Sequence, residues 1–189
     1  MSSRENFKYK IWKAARILLL SGYRRVGVRG WELKRILGPR YLDVIKILDE
    51  ELDKIGLTVR AVSRSGEILS LDEPGKLSKA IFIIVTKESP SLSEVRAAGW
   101  RIDDLAILAA TIMYIVSRRG EAPRKDVENM LKEKFPQWKI SFNLDRFIRY
   151  EYLEEEDNIL RIGWRTKAEV NLQKLLGIPI TELSEKDKK

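Results

Sequence analysis

The sequence contains neither cysteine nor histidine among its 189 residues. Without cysteine the chain has no disulfides and no thiol nucleophile. Without histidine it has no Ser-His-Asp triad and no imidazole for acid-base chemistry. Zinc fingers are excluded by the lack of both residues. These absences exclude most of the enzyme classes that can be recognised from sequence. We therefore expect a protein that is not an enzyme and that holds neither metal nor cofactor.

Long hydrophobic runs are also lacking. The most apolar stretches, residues 17–20 and 105–116, are too short or too polar at their flanks to cross a bilayer. The N-terminus is charged and has no hydrophobic region of the kind that signal peptides carry. We therefore expect no membrane partner and a cytoplasmic location. High charge without cysteine is also typical of intracellular proteins of thermophiles.

What the chain does have is positive charge concentrated at one end. Residues 1–46 carry 12 Lys/Arg against 3 Asp/Glu, a net charge of +9, so that the other residues sum to −1 of the total of +8. A concentrated positive surface on an otherwise neutral protein is typical of a polyanion-binding protein, with nucleic acid first and an anionic membrane second. The alternative is a set of solvated helix faces.

The first half predicts three helices followed by two strands. The predicted helices span residues 7–20, 31–37 and 41–55, and the predicted strands span residues 57–63 and 80–85. Gly22 is placed to end the first helix, Gly38-Pro39 the second, and Gly56 the third. Three helices followed by a β-ribbon is the pattern of a winged helix.

The same order begins again after Ser89-Pro90-Ser91, which we interpret as a boundary. Asp103 or Asp104 is placed to cap a long apolar helix. The later elements are helices over residues 123–135, 142–151 and 167–176 and a hairpin that turns at Asp157-Asn158. The predicted fold class is mostly α with small β wings (α+β), as tandem winged-helix domains. We expect domains at residues 1–88 and 89–180 and a disordered charged tail at 181–189.

Short motifs in both halves resemble those of the MAGE-homology domain. The most specific is Phe147-Ile148 followed, after three residues, by Tyr152-Leu153-Glu154. The others are Ile107-Leu108 on the long apolar helix, Ala122 in a turn, the helix from Arg124 toward Val127, residues 159–165 containing Gly163-Trp164-Arg165, Ala168-Glu169, and residues 41–55 followed by Gly56-Leu57. The sequence departs from the family pattern at Glu128, at Trp164 and in a first wing enlarged over residues 65–79.

This resemblance implies a tandem winged-helix fold and a remote, prokaryotic (archaeal-like) member of the family. It resembles the kleisin-interacting tandem winged-helix subunits of chromosome-structural-maintenance (SMC) complexes, which bind the kleisin and help to contact DNA. Animal relatives instead dock RING-type ubiquitin ligases. The implied partner-binding residues are Ile107, Leu108, Phe147, Tyr152 and Trp164.

Charge placement argues against sequence-specific DNA reading by the third helix of the first half. This helix carries mainly acidic residues off its apolar stripe, and phosphates would repel them. The equivalent helix of the second half is mixed, since Lys139, Asn143, Arg146 and Arg149 alternate with acids. We expect duplex DNA to contact the basic residues before the acidic helix without base readout. These residues are Arg24, Arg25, Arg29, Lys34, Arg35 and Arg40.

The five tryptophans allow two interpretations. Exposed rings between cations could stack on unpaired bases. We favour the other interpretation, in which most of them pack in the cores and Trp100 helps to join the two domains. The acidic run at residues 154–157 is interpreted as a solvated hairpin rather than a cation site.

These inferences combine into a prediction of function. We expect a non-catalytic, DNA-binding adaptor of a chromosome-maintenance or DNA-repair complex, bound to a kleisin-like partner and to double-stranded DNA without sequence preference, and associated with the nucleoid. Whether it forms a homo- or heterodimer stays open. The alternatives are a stand-alone winged-helix transcription regulator, which would prefer its site by about a thousandfold or more, and an adaptor for a ubiquitin-type ligase.

Overall fold

The computed structural model describes residues 3–21, 26–172 and 175. The chain divides into two compact units, Met1–Val95 and Arg96–Lys189, here called unit 1 and unit 2. The division lies a few residues beyond the boundary expected at residue 88. The predicted tail at residues 181–189 lies outside the described residues.

Unit 1 contains three main helices: α1 Ser3–Ser21, α2 Gly30–Leu37 and α3 Tyr41–Asp53. The buried side of α1 is the predicted stripe, in which Ala14 and Leu18 are buried and Phe7 and Ile11 pack against the core. Helix α2 ends where φ of Gly38 is 95°, a left-handed conformation that glycine adopts without steric cost. Helical periodicity therefore predicts these three elements well.

The sheet of unit 1 has the strand order β1-β4-β2-β3. Its strands are β1 Val28–Arg29, β2 Leu57–Val62, β3 Ile68–Leu69 and β4 Ile81–Thr86. β2 and β4 are the two strands that the sequence predicts, and they pair antiparallel with Val59 opposite Ile84. β1, β3 and a short helix α4 Pro74–Leu77 in the enlarged wing were not predicted, because elements this short carry no periodicity.

A close backbone approach fixes the start of α2 against the wing. The Gly30 amide donates to the Ala80 carbonyl at 2.9 Å. A Cβ on Gly30 would lie only 1.9 Å from the Leu77 carbonyl oxygen, so no larger residue fits without moving backbone. Phe82, fully buried in β4, completes this core and meets the Tyr41 ring edge-on at 6.3 Å.

Unit 2 repeats the order of elements. Its helices are α6 Ile102–Ser117, α7 Arg124–Lys132, α8 Gln137–Arg149 and α9 Trp164–Glu169, preceded by α5 Leu92–Ala97, in which the division between the units falls. Its strands are β5 Glu121–Pro123, β6 Leu153–Glu156 and β7 Ile159–Ile162, in the order β5-β7-β6. In both units the first short strand pairs antiparallel with the last strand of the wing.

Several boundaries in unit 2 differ from those predicted. The N-cap of α6 is Arg101, and Asp103 and Asp104 lie in the first turn instead of capping it. Helix α8 begins directly after Pro136, because proline ends the preceding segment and is well suited to precede a helix. The hairpin does turn at Asp157 and Asn158, whose φ values are 51° and 60° as a tight hairpin turn requires.

Together these elements confirm the predicted fold class, which is an α+β chain with two winged-helix units. The last helix begins at Trp164 rather than at residue 167, and residue 176, its predicted end, lies outside the described part. No helix in the described part of the chain is both long enough and apolar enough to span a bilayer.

Candidate functional site

Helix α3 of unit 1 stands at the position that reads DNA in many winged helices, but its outer face is acidic. Its exposed acids are mostly held in local ion pairs: Arg40–Asp43 at 2.8 Å, Lys54–Glu51 at 2.7 Å, and Lys87–Asp53. Lys46, the lysine of α3, is paired with Asp72 at 2.6 Å. The pairing leaves no row of free cations on α3, so this helix offers no face for phosphates, as the sequence predicts.

Asp49 of α3 has a structural role. Its Oδ1 accepts hydrogen bonds from the Thr58 hydroxyl at 2.8 Å and from the Val59 amide at 2.7 Å. Both donors belong to β2, so this carboxylate fixes the end of α3 to the first strand of the wing. This acid of α3 is therefore needed for the fold, whatever unit 1 binds.

Helix α8 is the corresponding helix of unit 2, and most of the polar residues considered for groove reading form contacts within the unit. Lys139 forms an ion pair with Asp103, and Arg146 lies 3.0 Å from the buried carboxylate of Asp104. Asn143 is buried and donates to the Lys139 carbonyl at 3.0 Å. Of the four residues that left groove reading open in the sequence, only Arg149 remains exposed.

Arg146 also lies against a cluster of aromatic rings. Its guanidinium carbon is 5.0 Å from the centre of the Trp100 ring, 5.9 Å from Phe142 and 5.6 Å from Phe147. The Trp100 ring in turn stacks on Phe147 at 6.2 Å between centroids. The structure thus places Trp100, expected between the two domains, against the core of unit 2.

The outward face of α8 is aromatic rather than basic. Trp138 is 71% exposed and Phe142 is 60% exposed, and the two lie one turn apart. The exposed residues Asp145 and Arg149 continue the same face at helical spacing. Because two large aromatic side chains exposed one turn apart form an apolar patch on the surface, this face is a candidate surface for a protein partner.

A single arginine links α7, α8 and β6. Arg124 donates to Asp145 at 2.7 Å, to Glu155 at 2.9 Å and to Glu128 at 3.1 Å. Burial alone would lower the pKa of Arg124, but the hydrogen bonds to Asp145 and Glu128 outweigh it and raise that pKa. Glu128, a departure from the family pattern, therefore has a defined structural role. Glu155 is engaged as well, so the acidic hairpin is not wholly solvated.

The residues implied as partner-binding by the resemblance lie in the core of unit 2. Their exposed fractions range from 0% to 7%: Ile107 0%, Leu108 7%, Phe147 0%, Tyr152 7% and Trp164 4%. A side chain without exposed surface can contact a partner only if the unit opens. In this structure these five residues pack the core, and the surface that a partner meets has to be sought among exposed neighbours.

The motif that carries the resemblance fastens the wing to the final helix. The Tyr152 carbonyl accepts from the Gly163 amide at 2.9 Å and from the Thr166 hydroxyl at 2.7 Å. A Cβ on Gly163 would lie 2.2 Å from the Glu151 carbonyl oxygen, and the Trp164 indole nitrogen donates to the Glu151 carboxylate at 2.7 Å. These contacts give the residues of the motif a role in holding the fold of unit 2 together.

Tyr152 is held in place at both ends of its side chain. Its hydroxyl donates to Glu169 at 2.7 Å, and the Arg165 guanidinium carbon lies 4.4 Å from the centre of its ring. Burial, together with the Glu169 carboxylate, raises the pKa of Tyr152. The phenol therefore stays neutral at physiological pH and has a packing role.

The residues predicted to contact DNA divide into three groups. Arg24 and Arg25 lie outside the described residues. Arg29 is half-buried and donates to the Lys79 carbonyl at 3.2 Å, so it helps to hold the wing. Lys34 and Arg35 on α2 and Arg40 after it are exposed, and Arg40 is paired with Asp43.

The outer surface of α1 and α2 carries cations that are not neutralised within the described residues. None of the described residues forms an ion pair with Lys8, Lys10, Lys13, Arg16, Lys34 or Arg35. The Lys10 ammonium lies near Gly38, 3.6 Å from where a Cβ would stand, so α1 brings positive charge to the end of α2. The sequence shows the basic content of this region but not that these cations are unpaired.

Two tryptophans lie among these cations. Trp12 is 55% exposed and Trp31 is 47% exposed, and Trp138 is exposed as well, so the prediction that most of the five tryptophans pack in the cores is wrong. Trp12 follows Ile11 of the buried stripe, and a helical step of about 100° carries it to the solvent side. The Lys8 ammonium lies 5.1 Å from the Trp12 ring centre, and the Arg35 guanidinium lies 5.3 Å from the Trp31 ring centre.

The fold and these surfaces define a class: a chain of two winged-helix units whose third helices do not present a basic reading face. Comparison of the sequence with family models and with curated proteins finds no match. Among solved structures, a chain of the Nse1-Nse3-Nse4 complex is similar, with a TM-score of 0.53 and 12% sequence identity. The match covers 69% of this chain and 53% of that chain, so this chain corresponds to about half of its neighbour, and the likeness is one of fold.

Proposed function

We propose that this protein is a non-catalytic adaptor subunit of a chromosome-maintenance complex, which binds a kleisin-like protein and contacts duplex DNA without sequence preference. The MAGE-like motifs and the fold of a chain from the Nse1-Nse3-Nse4 complex support the first part. The basic outer surface of unit 1 supports the second.

The observation that carries the proposal is the state of the two third helices. A sequence-specific winged-helix regulator needs free donors on this helix to contact base edges in the major groove. In α3 the outer face is acidic, and in α8 Lys139 and Arg146 are bound to Asp103 and Asp104. This arrangement favours an adaptor over the transcription regulator that the sequence left open.

The partner surface that we propose is the aromatic face of α8. Trp138 and Phe142 are the kind of large, exposed anchors that carry most of the binding energy at protein interfaces. Ile102, at the start of α6 and 51% exposed, adds an apolar side chain next to Asp103, whose ion pair with Lys139 joins α6 to α8. A helix of a kleisin-like partner would bury these anchors while the core residues beneath hold α8 in place.

The DNA surface that we propose consists of the exposed cations Lys34, Arg35 and Arg40, with Arg24 and Arg25 as further candidates. Contacts of these side chains to phosphates position a protein on duplex DNA but do not discriminate between bases. Binding through them is expected to be weak and to fall steeply as salt rises.

Two measurements test the proposal. Coexpression with the kleisin-like protein of the same genome should give a stable complex, and Trp138→Glu combined with Phe142→Glu should abolish it. The matched control is Trp12→Glu combined with Tyr9→Glu, two aromatic residues of unit 1 that are also exposed and whose replacement should leave the complex intact. A complex that survives the α8 variant would place the partner elsewhere.

The second measurement separates adaptor from regulator. Selection from random duplexes should enrich no sequence, and affinities for unrelated duplexes should agree within a few-fold. Enrichment of one site with a preference of about a thousandfold would contradict the adaptor and establish the regulator.

A further inference from the structure

We propose that the outer face of α1 in unit 1 binds unpaired bases of single-stranded nucleic acid by stacking them on Trp12 and Tyr9. This inference goes beyond duplex contact, because paired bases hide their faces in the helix stack and cannot reach an aromatic side chain. It rests in part on the same basic surface as the proposed function, and the experiment below distinguishes the two.

The geometry of α1 places the required groups in one row. Tyr9, Trp12 and Arg16 follow one another at spacings of three and four residues, which puts them on the same side of a helix. At about 1.5 Å per residue the row from Tyr9 to Arg16 is about 10 Å long. A row of this length can contact a short run of consecutive nucleotides. Both rings are about half exposed, so a base can reach them.

Cations accompany both rings. The Lys8 ammonium lies 5.1 Å from the Trp12 ring centre, and the Arg16 guanidinium lies 5.9 Å from the Tyr9 ring centre. Arg16 is also tied to the helix, since its Nε donates to the Trp12 carbonyl at 3.3 Å. A nucleotide whose base stacks on Trp12 would place its phosphate beside Lys8 or Arg16, so stacking and charge neutralisation occur together.

A second pair on α2 repeats the arrangement. Trp31 is exposed beside Arg35, with Lys34 on the same helix. The exposed tryptophan of unit 2 differs, because no cation of the described residues lies over the Trp138 ring. Tryptophans paired with free cations are therefore a property of the basic unit, whereas the aromatic face of α8 is suited to a protein partner.

Charge decides which ligand the α1 face fits. No ion pair to a described residue is recorded for Lys8, Lys10, Lys13 and Arg16 of α1, so an incoming polyanion displaces no acid to reach them. Association of this face with a second copy would bring two rows of like charge together, which costs free energy. A single-stranded nucleic acid can stack its bases on the rings and place its phosphates beside the cations.

The experiment compares Trp12→Ala with Trp138→Ala, a matched removal of an exposed tryptophan from the other unit. Binding of oligothymidylate of about 15 nucleotides, near the upper end of typical binding-site sizes, is measured by fluorescence anisotropy at low salt. Because stacking on one aromatic side chain contributes about 1 to 3 kcal/mol per base, Trp12→Ala should weaken this binding at least fivefold. Trp138→Ala should leave it unchanged, and Trp12→Phe should recover most of the affinity.

Duplex DNA of the same length is the second ligand. Trp12→Ala should change duplex affinity less than twofold, whereas charge reversal of Lys34 and Arg35 should weaken both ligands. Tryptophan fluorescence of the unaltered chain should be quenched by oligothymidylate, and the quenching should shrink in Trp12→Ala but not in Trp138→Ala.

Unchanged oligothymidylate affinity in Trp12→Ala overturns the inference, as does an equal loss in Trp138→Ala. If either of these results is found while duplex binding persists, the proposed function stands without the stacking face. If the chain binds neither oligothymidylate nor the duplex, the proposed duplex contact and the proposed stacking of unpaired bases are both wrong. Loss of a protein partner in Trp12→Ala with unchanged oligothymidylate binding would assign the α1 face to protein and also overturn the inference.

Discussion

The two units carry similar folds, and both hold some cations in ion pairs, but the pairs lie on different elements: on and around α3 and the wing in unit 1, and on α7 and α8 among others in unit 2. On α1 and α2 of unit 1, cations such as Lys8, Lys13 and Lys34 have no recorded ion partner among the described residues. In unit 2, the comparable side chains Arg124 and Arg146 are held by carboxylates and rings. Residues 91–189 contain 18 Lys/Arg and 17 Asp/Glu, so lysine and arginine are as available in that sequence as elsewhere. The ion pairs of this segment involve Arg124, Lys139, Arg146, Arg161 and Arg165.

The difference shows that the number of charges in a segment does not determine its capacity to bind a polyanion. An arginine that already compensates a buried carboxylate cannot move to a phosphate without leaving that carboxylate unpaired, which is costly. On α1 and α2 of unit 1, by contrast, four exposed cations form no ion pair with a described residue: Lys8, Arg16, Lys34 and Arg35. Unit 1 is therefore the unit that we assign to nucleic acid, and unit 2, with its aromatic α8, is the one that we assign to protein.

The largest expected effect comes from breaking the internal pairing of unit 2. Arg146→Met leaves the buried Asp104 carboxylate without its counter-charge and removes the guanidinium from the Trp100 and Phe147 rings. We expect the free energy of unfolding to fall by about 3 kcal/mol, in line with other buried pairs that lose one partner. Urea denaturation followed by circular dichroism measures it. Arg149→Met on the same helix is the control, since Arg149 is exposed and should change stability by less than about 0.5 kcal/mol.

The second effect concerns the free cations of unit 1. Lys34→Glu combined with Arg35→Glu should weaken binding to every duplex by about tenfold or more and reduce the slope of log affinity against log salt by about 2. The same reversal at Lys132 and Lys134 of unit 2, which are exposed but lie in a segment of balanced charge, should leave both quantities unchanged. Anisotropy titrations at several salt concentrations measure both quantities. An equal loss of duplex affinity in the unit 1 and unit 2 variants would contradict the assignment of DNA binding to unit 1.

A third, smaller effect separates the structural acid of α3 from its surface acids. Asp49→Ala removes the acceptor of the Thr58 hydroxyl and the Val59 amide and should lower the free energy of unfolding by about 1 to 2 kcal/mol. Glu50→Ala, next along the helix and exposed, should lower it by less than about 0.5 kcal/mol. Thermal or urea unfolding of the two variants makes the test. Similar values would mean that the Asp49 contacts do not hold α3 to the wing.

The smallest effect is one of pH. The hydrogen bond and charge of Lys139 lower the pKa of the Asp103 carboxyl, and Lys46 does the same for Asp72 in unit 1. A carboxyl with a lowered pKa stabilises the fold above its ordinary pKa of about 3.9, and this contribution is lost as the pH falls through the lowered value. Lys139→Met should raise the Asp103 pKa towards its ordinary value and leave that of Asp72 low. Carboxyl NMR titration measures both in one sample, and an unmoved Asp103 pKa would mean that the ion pair does not form in solution.

Much of the fold could be predicted because it depends on local pattern. The stripes of α1, α2 and α3, the strands β2 and β4, and the turn at Asp157 and Asn158 all follow from periodicity and turn chemistry. Strands β1 and β5 could not be predicted, since two or three residues become a strand only by pairing with a strand far along the chain.

The candidate surfaces were harder to predict, because they depend on contacts between distant residues. Nothing local to Arg146 or Lys139 shows that Asp104 and Asp103, on another helix, will bind them. The apolar residues Ile107 and Leu108 are equally suited to a groove and to a core, and only the packing of α6 shows that they are buried. The exposure of Trp12 was open to prediction from its position beside the α1 stripe.

The most direct test of the account is a map of where duplex DNA contacts the chain. Backbone amide shifts of the labelled protein, titrated with a duplex of arbitrary sequence, should change along α1 and α2 and stay unchanged along α3 and α8. The changes should disappear together as salt is raised, as expected for phosphate contacts. Shifts concentrated on α3 or α8 would contradict the account, because they would show that a third helix reads DNA despite its acidic or aromatic face.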